Sequence, residues 1–150
     1  MAERNERAVL NHLIETCKDG ELGFLSAADH VESPKLKALF GQMATGRARM
    51  AAELTPHAQR LGGETGAEGS GFAALHRRWI DIKSRLARHD DNAILVEVER
   101  GDGITLHVFQ EALEGMLPPD TRDVVERLYA ELRQAHATIT SLDKVRVGEP

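Results

Sequence analysis

The chain has 150 residues, 41% hydrophobic and 29% charged, which is the composition of one folded domain with a sizeable core rather than of a disordered chain. Nineteen Lys and Arg against 24 Asp and Glu leave a formal charge of −5, and aromatic residues make up only 4%, so no broad basic footprint for nucleic acid or an anionic membrane is expected. The lone Cys17 excludes an internal disulfide and any Cys-x-x-Cys zinc site, and no stretch reads as a secretory signal or a membrane span, so a reducing, cytoplasmic location is expected.

Apolar spacing predicts helices throughout. From Asn5, the expected N-cap, to about Val31, the residues Leu10, Leu13, Cys17, Phe24, Ala28 and Val31 recur at steps of three and four, which places them on one helical face. Ser33 and Pro34 mark a stop and a restart, since serine caps a helix and proline suits its first turn. The second stripe is Leu36, Leu39, Phe40, Met43, Met50, Leu54 and Leu61. Pro56 removes a backbone donor there and predicts a kink or an early end near Leu54, whereas Arg60-Leu61-Gly62-Gly63 reads as a glycine-terminated finish. Residues 62–71 hold five glycines and no large apolar side chain, the mark of a loop. Phe72, Leu75, Trp79, Ile82 and Leu86 predict a short amphipathic helix over about 71–87. His89-Asp90-Asp91-Asn92 supplies a break and a cap for a third long helix, striped by Ile94, Leu95, Val98, Leu106, Phe109, Leu113 and Met116. Pro118-Pro119-Asp120 opens the fourth, striped by Val125, Leu128, Leu132, Ala135, Ile139 and Leu142, and residues 144–150 read as a frayed tail. No run alternates long enough to form a strand.

Short turns after the first and third long helices make two antiparallel hairpins, and the long middle stretch can cross between them. The expected architecture is all-α: a ferritin-like four-helix bundle with a long crossover carrying one extra short helix, a single domain spanning 1–150 with its core over about 4–143. Helices of about 25 residues would span roughly 38 Å.

Charged residues on core stripes are the informative exceptions. Taking the first stripe through 17, 21, 24 and 28 puts Glu21 inward at mid-helix; taking the third through 95, 98, 102 and 106 does the same for Asp102. Each acid follows a glycine, and segments 17–24 (CKDGELGF) and 98–105 (VERGDGIT) superpose as a faint repeat too short to establish duplication. Mid-helix glycine costs about 1 kcal/mol relative to alanine, so these glycines point to close helix approach or crowding around a site. Arg47 falls on the second stripe, within about a turn of Glu21 across the Ser33 turn. Across the Pro118 turn, Glu99, Asp102, Arg133 and His136 share a height. A polar core network therefore follows, pairing Glu21 with Arg47 and either Glu99 or Asp102 with Arg133, with His136 beside them.

The opening NERAVLNHLIETCKDGELGF, the segment AAELTPHAQRLGG, the ALHRRWIDIK stretch and VERLYAEL resemble a poorly characterised bacterial family of four-helix-bundle proteins in the ferritin-like superfamily, over about residues 4–143. That resemblance implies a fold, and more widely a di-metal carboxylate site with one Glu from each of two helices and Glu-x-x-His from the other two. Glu21 and either Glu99 or Asp102 could fill the single-acid positions and His136 one histidine position, holding iron or manganese. Arg133 stands where the fourth helix should carry a Glu, and the second helix offers Arg47-x-x-Met50 instead of Glu-x-x-His. Arginine stays cationic and cannot ligate a metal.

Other candidates read as structure. His107 and Glu111 form a solvated pair, Glu53 and His57 have the same four-residue spacing but Pro56 disturbs the geometry a ligand pair would need, Cys17 is a core thiol, and Trp79 packs the short helix. His76-Arg77-Arg78 with Lys83, Arg85 and Arg88 form a solvated face. No nucleophile elbow, P-loop or dinucleotide fingerprint supports an enzyme class. Two functions follow: a non-catalytic bundle without resident cofactor, acting as a homo-oligomer or on a protein partner, for which the resemblance implies stress physiology; and a metal-binding ferritin relative with a redox or stress-protection role. The missing ligands favour the first. Neither nucleic acid nor a membrane is an expected partner.

Overall fold

The computed structural model describes the backbone of residues 2–62, 84, 86 and 89–148, and the side chains of 6–62, 84, 86 and 89–142. Among them are four long helices and no strand: α1 (Ala2–His30), α2 (Pro34–Arg60), α3 (Asp91–Glu114) and α4 (Pro119–Gly148). The short helix expected at 71–87, with Trp79 and the basic cluster, lies outside the described residues except for Ser84 and Leu86, both helical.

Local chemistry sets the ends. The Ser33 hydroxyl accepts from the Leu36 amide and Pro34 occupies the first turn of α2. That helix runs through Pro56 to Arg60 rather than stopping near Leu54. Pro56 and Ala52 both lie on the exposed face, so the carbonyl deprived of its donor meets water. The finish is the expected glycine one: Gly62 takes φ +75°, and its amide donates to the Gln59 carbonyl. The Asp90 carboxylate caps α3 at the Ala93 amide, 2.8 Å away. Its neighbour Asp91 accepts from the amides of Glu32 and Ser33 at 2.8 and 3.0 Å, tying the α1–α2 turn to the start of α3. Arg122 donates to the carbonyls of Leu113 and Gly115, closing the far end of α3. Two end assignments need correction. α1 begins at Ala2, which puts Asn5 inside the helix instead of at its cap, and α4 continues helically to Gly148 where a frayed tail is expected.

α1 packs on α2 and α3 on α4, while α1 against α3 and α2 against α4 complete the square. The ends of α1 and the start of α3 meet through Asp91, so α2 and α3 point the same way and the connection between them joins opposite ends of the bundle. Two apolar clusters fill the interior. One gathers Leu10, Leu13, Cys17, Leu54, Phe109, Leu128 and Leu132; the other Phe24, Val31, Leu36, Phe40, Leu86, Ile94 and Ile139. Each fully buried Leu, Ile or Phe contributes about 1.5–3 kcal/mol from removal of apolar surface from water. Met116 does not belong to this core: it lies beyond the last turn of α3 and is 85% exposed.

Candidate functional site: a charged layer at mid-height

Between the two apolar clusters lies a polar layer. Arg47 reaches across the diagonal from α2 to Asp102 on α3, where Nη2 stands 2.7 Å from Oδ1, with both side chains at most 2% exposed. The contact is an ion pair turned off the line that a hydrogen bond needs. The other oxygen of Asp102, Oδ2, lies 3.1 Å from Nδ1 of His136 on α4. A carboxylate only accepts, so the proton of this bond sits on Nδ1. The guanidinium carbon lies 5.0 Å from the centre of the Phe24 ring, a cation–π contact from α1. Four helices thus hold one guanidinium and one carboxylate out of water. Such a pair adds little net stability compared with apolar residues, because desolvation offsets attraction, but removing one partner leaves a costly buried charge.

Gly20 explains how α1 accommodates the layer. A Cβ there would stand 3.4 Å from both Cγ and Nη1 of Arg47, ordinary van der Waals contact, so a methyl fits while a longer side chain would press on the crossing guanidinium. At Gly103 a Cβ would approach His136 Cε1 to 3.9 Å, whereas Gly101 faces open space. The close approach expected of mid-helix glycines is therefore present at Gly20, where a side chain would touch Arg47, and absent at Gly101.

Of the six expected network residues, Arg47, Asp102 and His136 come together. Glu21 does not pair with Arg47. The inward phase of α1 runs through Cys17, Gly20, Phe24, Ala27 and Val31, and Glu21, one step round the helix, is only half-buried. Arg133 is not paired with Asp102 either: it is exposed and stacks its guanidinium 5.9 Å from the Tyr129 ring, because Leu128, Leu132 and Ile139 put position 136 on the inner face of α4. Asp102, rather than the half-buried Glu99, is the acid that meets Arg47 and His136.

This donor set does not fit a di-metal centre. Both oxygens of Asp102 are committed, one to a fixed cation, and no described group of three or more His, Cys, Asp or Glu side chains is arranged to hold a metal ion. Glu21, Glu99, Asp102 and His136 therefore do not form the alternative ligand cluster.

The remaining candidates fall as follows. His107 and Glu111 pair at 2.7 Å on the surface. Glu53 binds Arg49 and Arg127, not His57. The Nδ1 of His57 instead accepts from Arg60 and lies 2.8 Å from the hydroxyl of Thr121, and burial together with the Arg60 charge lowers its pKa. Cys17 is fully buried, and burial pushes its thiol up to about 12, against a weaker opposing pull from Arg47. No helix among the described residues is long and apolar enough to cross a membrane.

One feature escapes the periodicity of the sequence. A cleft of about 630 Å³ opens between α1 and α3, with Phe24 and Val108 on its walls and Arg47 at its floor. It exists because Gly20, Gly23 and Gly101 line it without side chains. Glycine carries no hydropathy signal, so only the clustering of Gly20 and Gly23 within one helix hints at it.

The likeness to other proteins matches this architecture. The chain is similar to a two-domain protein from Anabaena variabilis that contains DJ-1/ThiJ/PfpI-like and ferritin-like domains, with a TM-score of 0.83 and 17% sequence identity. The likeness covers 100% of this chain and 42% of that one, so the chain spans less than half of that protein's length. Identity at this level carries the ferritin-like four-helix fold and nothing finer. No curated protein matches. Residues 5–115, which include Arg47 and Asp102 and stop short of His136, match a domain family across α1 to α3, and the chain accordingly belongs to the family described as Domain of unknown function (DUF2383).

Proposed function

We propose that this protein is a non-catalytic ferritin-like bundle of the bacterial cytoplasm that works through self-assembly or by binding another protein, with an ion-paired layer standing where metal-binding relatives keep their carboxylate ligands. The observation that carries the reading is Arg47. A permanently charged, fully buried guanidinium on Asp102 disfavours a second cation at the same height by several kcal/mol, on the scale of buried like charges. Support for an interaction role comes from apolar side chains left outside the core, namely Met116 at 85%, Ile104 at 60% and Val96 at 49% exposed. In the Anabaena protein a ferritin-like domain shares a polypeptide with a DJ-1/ThiJ/PfpI-like domain, which supports a role beside another domain.

Equilibrium dialysis of the metal-free protein against Fe(II), Mn(II) and Zn(II), with light scattering across a wide range of protein concentration, tests both halves. Less than one metal per ten chains and a mass above that of one chain are expected. Stoichiometric metal binding that disappears in Glu21→Ala or Asp102→Asn would replace this reading with the iron- or manganese-binding one. A single-chain mass at every concentration removes self-assembly and leaves partner binding alone.

A further inference from the structure

We infer that the α1–α3 cleft is a binding site for a small, uncharged apolar molecule carrying one carbonyl-type oxygen, and that Arg47 is the group that recognises that oxygen. This goes beyond the interaction role proposed above and does not depend on it. Three observations carry it. The first is space: about 630 Å³, within the range of pockets that enclose small ligands. A Cβ at Gly23 or Gly101 would meet nothing within 4 Å, so the room is not shared with packed side chains of the described residues.

The second is a donor in need of an acceptor. Arg47 is 2% exposed, and its Nη1 is buried with no hydrogen-bond partner among the described residues. Guanidinium presents five N–H donors in a fixed fork, and Asp102 takes only an ion pair at Nη2. Gly20 and Arg47 both line the cleft, and position 20 puts no side chain between its space and Nη1, which a Cβ there would approach to 3.4 Å. Buried donors are ordinarily satisfied, and an oxygen seated in the cleft would do so.

The third is charge. Arg47 is already balanced by Asp102, and Arg100 at the rim is balanced by Glu97 at 2.8 Å. With both cations neutralised, the cleft holds no spare positive charge to repay the desolvation of an anion. The rest of the lining is mixed: Phe24, Val98 and Val108 give apolar walls, while His12, Thr16, Asp19 and Thr105 add polar groups and Asp19 a further negative charge. The cleft therefore suits a neutral ligand of mainly apolar body, with its acceptor at Arg47, better than an anion.

The full-length protein titrated with Nile red, an uncharged dye with a ring carbonyl, should give saturable, blue-shifted fluorescence at one site per chain. Filling the cleft from either wall, with Gly23→Leu or Gly101→Leu, should weaken the dye at least tenfold, while Gly41→Leu, at an uncrowded glycine on α2 outside the cleft, should leave it unchanged. Circular dichroism identifies any variant that has lost its fold, and the two fillers act independently. Displacement then reads the recognition: 2-acetylnaphthalene should compete about tenfold better than its isostere 2-isopropenylnaphthalene, the difference expected of a hydrogen bond to a charged donor, and better than 2-naphthoate. Absence of saturable dye binding, or binding indifferent to both folded fillers, overturns the site. Equal competition by ketone and hydrocarbon overturns the role of Arg47, and strongest competition by naphthoate overturns the uncharged ligand.

Discussion

Replacing Arg47 with Met gives the sharpest test of the mid-height layer. The methionine chain fits the space over Gly20, and its sulfur can rest against Phe24, so packing is largely kept. What is lost is the cation that Arg47 holds on Asp102 Oδ1, the only one there among the described residues, and the Asp102 side chain is 1% exposed. Breaking a buried pair from one side costs about 3–5 kcal/mol, because the orphaned charge stays out of water. For a chain of this size that corresponds to a fall in Tm of roughly 6–20 °C. Asp102→Leu alone should cost a similar amount by stranding the guanidinium. The double variant removes both charges and puts apolar surface in their place, so it should lie within about 1–2 kcal/mol of the parent or above it. His136 keeps access to water in that background, its side chain being 25% exposed. The assay is urea unfolding of all four proteins, with the coupling energy taken from the cycle. A loss below about 1 kcal/mol in Arg47→Met, or losses that simply add in the double variant, would refute the claim that these two residues stabilise one another inside the bundle.

Three further outcomes are expected. Gly20→Ala should be neutral or stabilise by up to about 1 kcal/mol, since the new methyl makes ordinary contact with Arg47 and gains helix propensity, whereas Gly20→Leu should destabilise by about 1–3 kcal/mol through overpacking; thermal melts of the pair check the opposite signs. Cys17, with its thiol pushed up to about 12, should resist a disulfide reagent in the native protein and react only at the rate of unfolding, as followed by thiolate release with and without urea. His57 has a lowered pKa, so the folded state prefers the neutral ring, and its contribution to stability is present above the ordinary histidine range and lost as pH falls through the lowered value. The urea midpoint should therefore drop between pH 8 and pH 5 by less in His57→Gln than in the parent; an identical drop in both would remove His57 as a source of the dependence.

Much of the fold is legible because helical burial is periodic and caps are local. Leu10, Leu13 and Cys17 on α1 and Leu128, Leu132 and Ile139 on α4 announce their faces, and Ser33, Asp90 and Gly62 announce helix ends through chemistry confined to a few residues. The site is less legible for two physical reasons. One residue on a helix turns the chain by about 100°, and glycine lends no weight to either face. The conspicuous Glu21 therefore takes the place that belongs to Gly20, one step away. On α4 the same uncertainty admits Arg133, although the phase of Leu132 and Ile139 alone selects His136. The second reason is geometry: hairpin turns relate α1 to α2 and α3 to α4, so they can match Arg47 only with a sequential neighbour. Its partner Asp102 lies across the diagonal, and that relation exists only once the square is closed.

Closure also explains why charges are retained at a depth where leucine would serve stability as well. The two apolar clusters above and below the layer are held mainly by non-directional contacts of aliphatic and Phe side chains, which discriminate between registers less sharply than a buried pair of charges. A slip of one turn, about 5.4 Å, carries Asp102 beyond reach of Arg47 and strands two ions in an apolar medium. The pair thus penalises every register but one, and it does so across the diagonal that no short turn controls. On this argument the Arg47→Met/Asp102→Leu variant keeps its stability and loses definition: its near-ultraviolet dichroism and proton chemical-shift dispersion should narrow while the urea midpoint holds. A double variant as sharply ordered as the parent would show that packing alone sets the register.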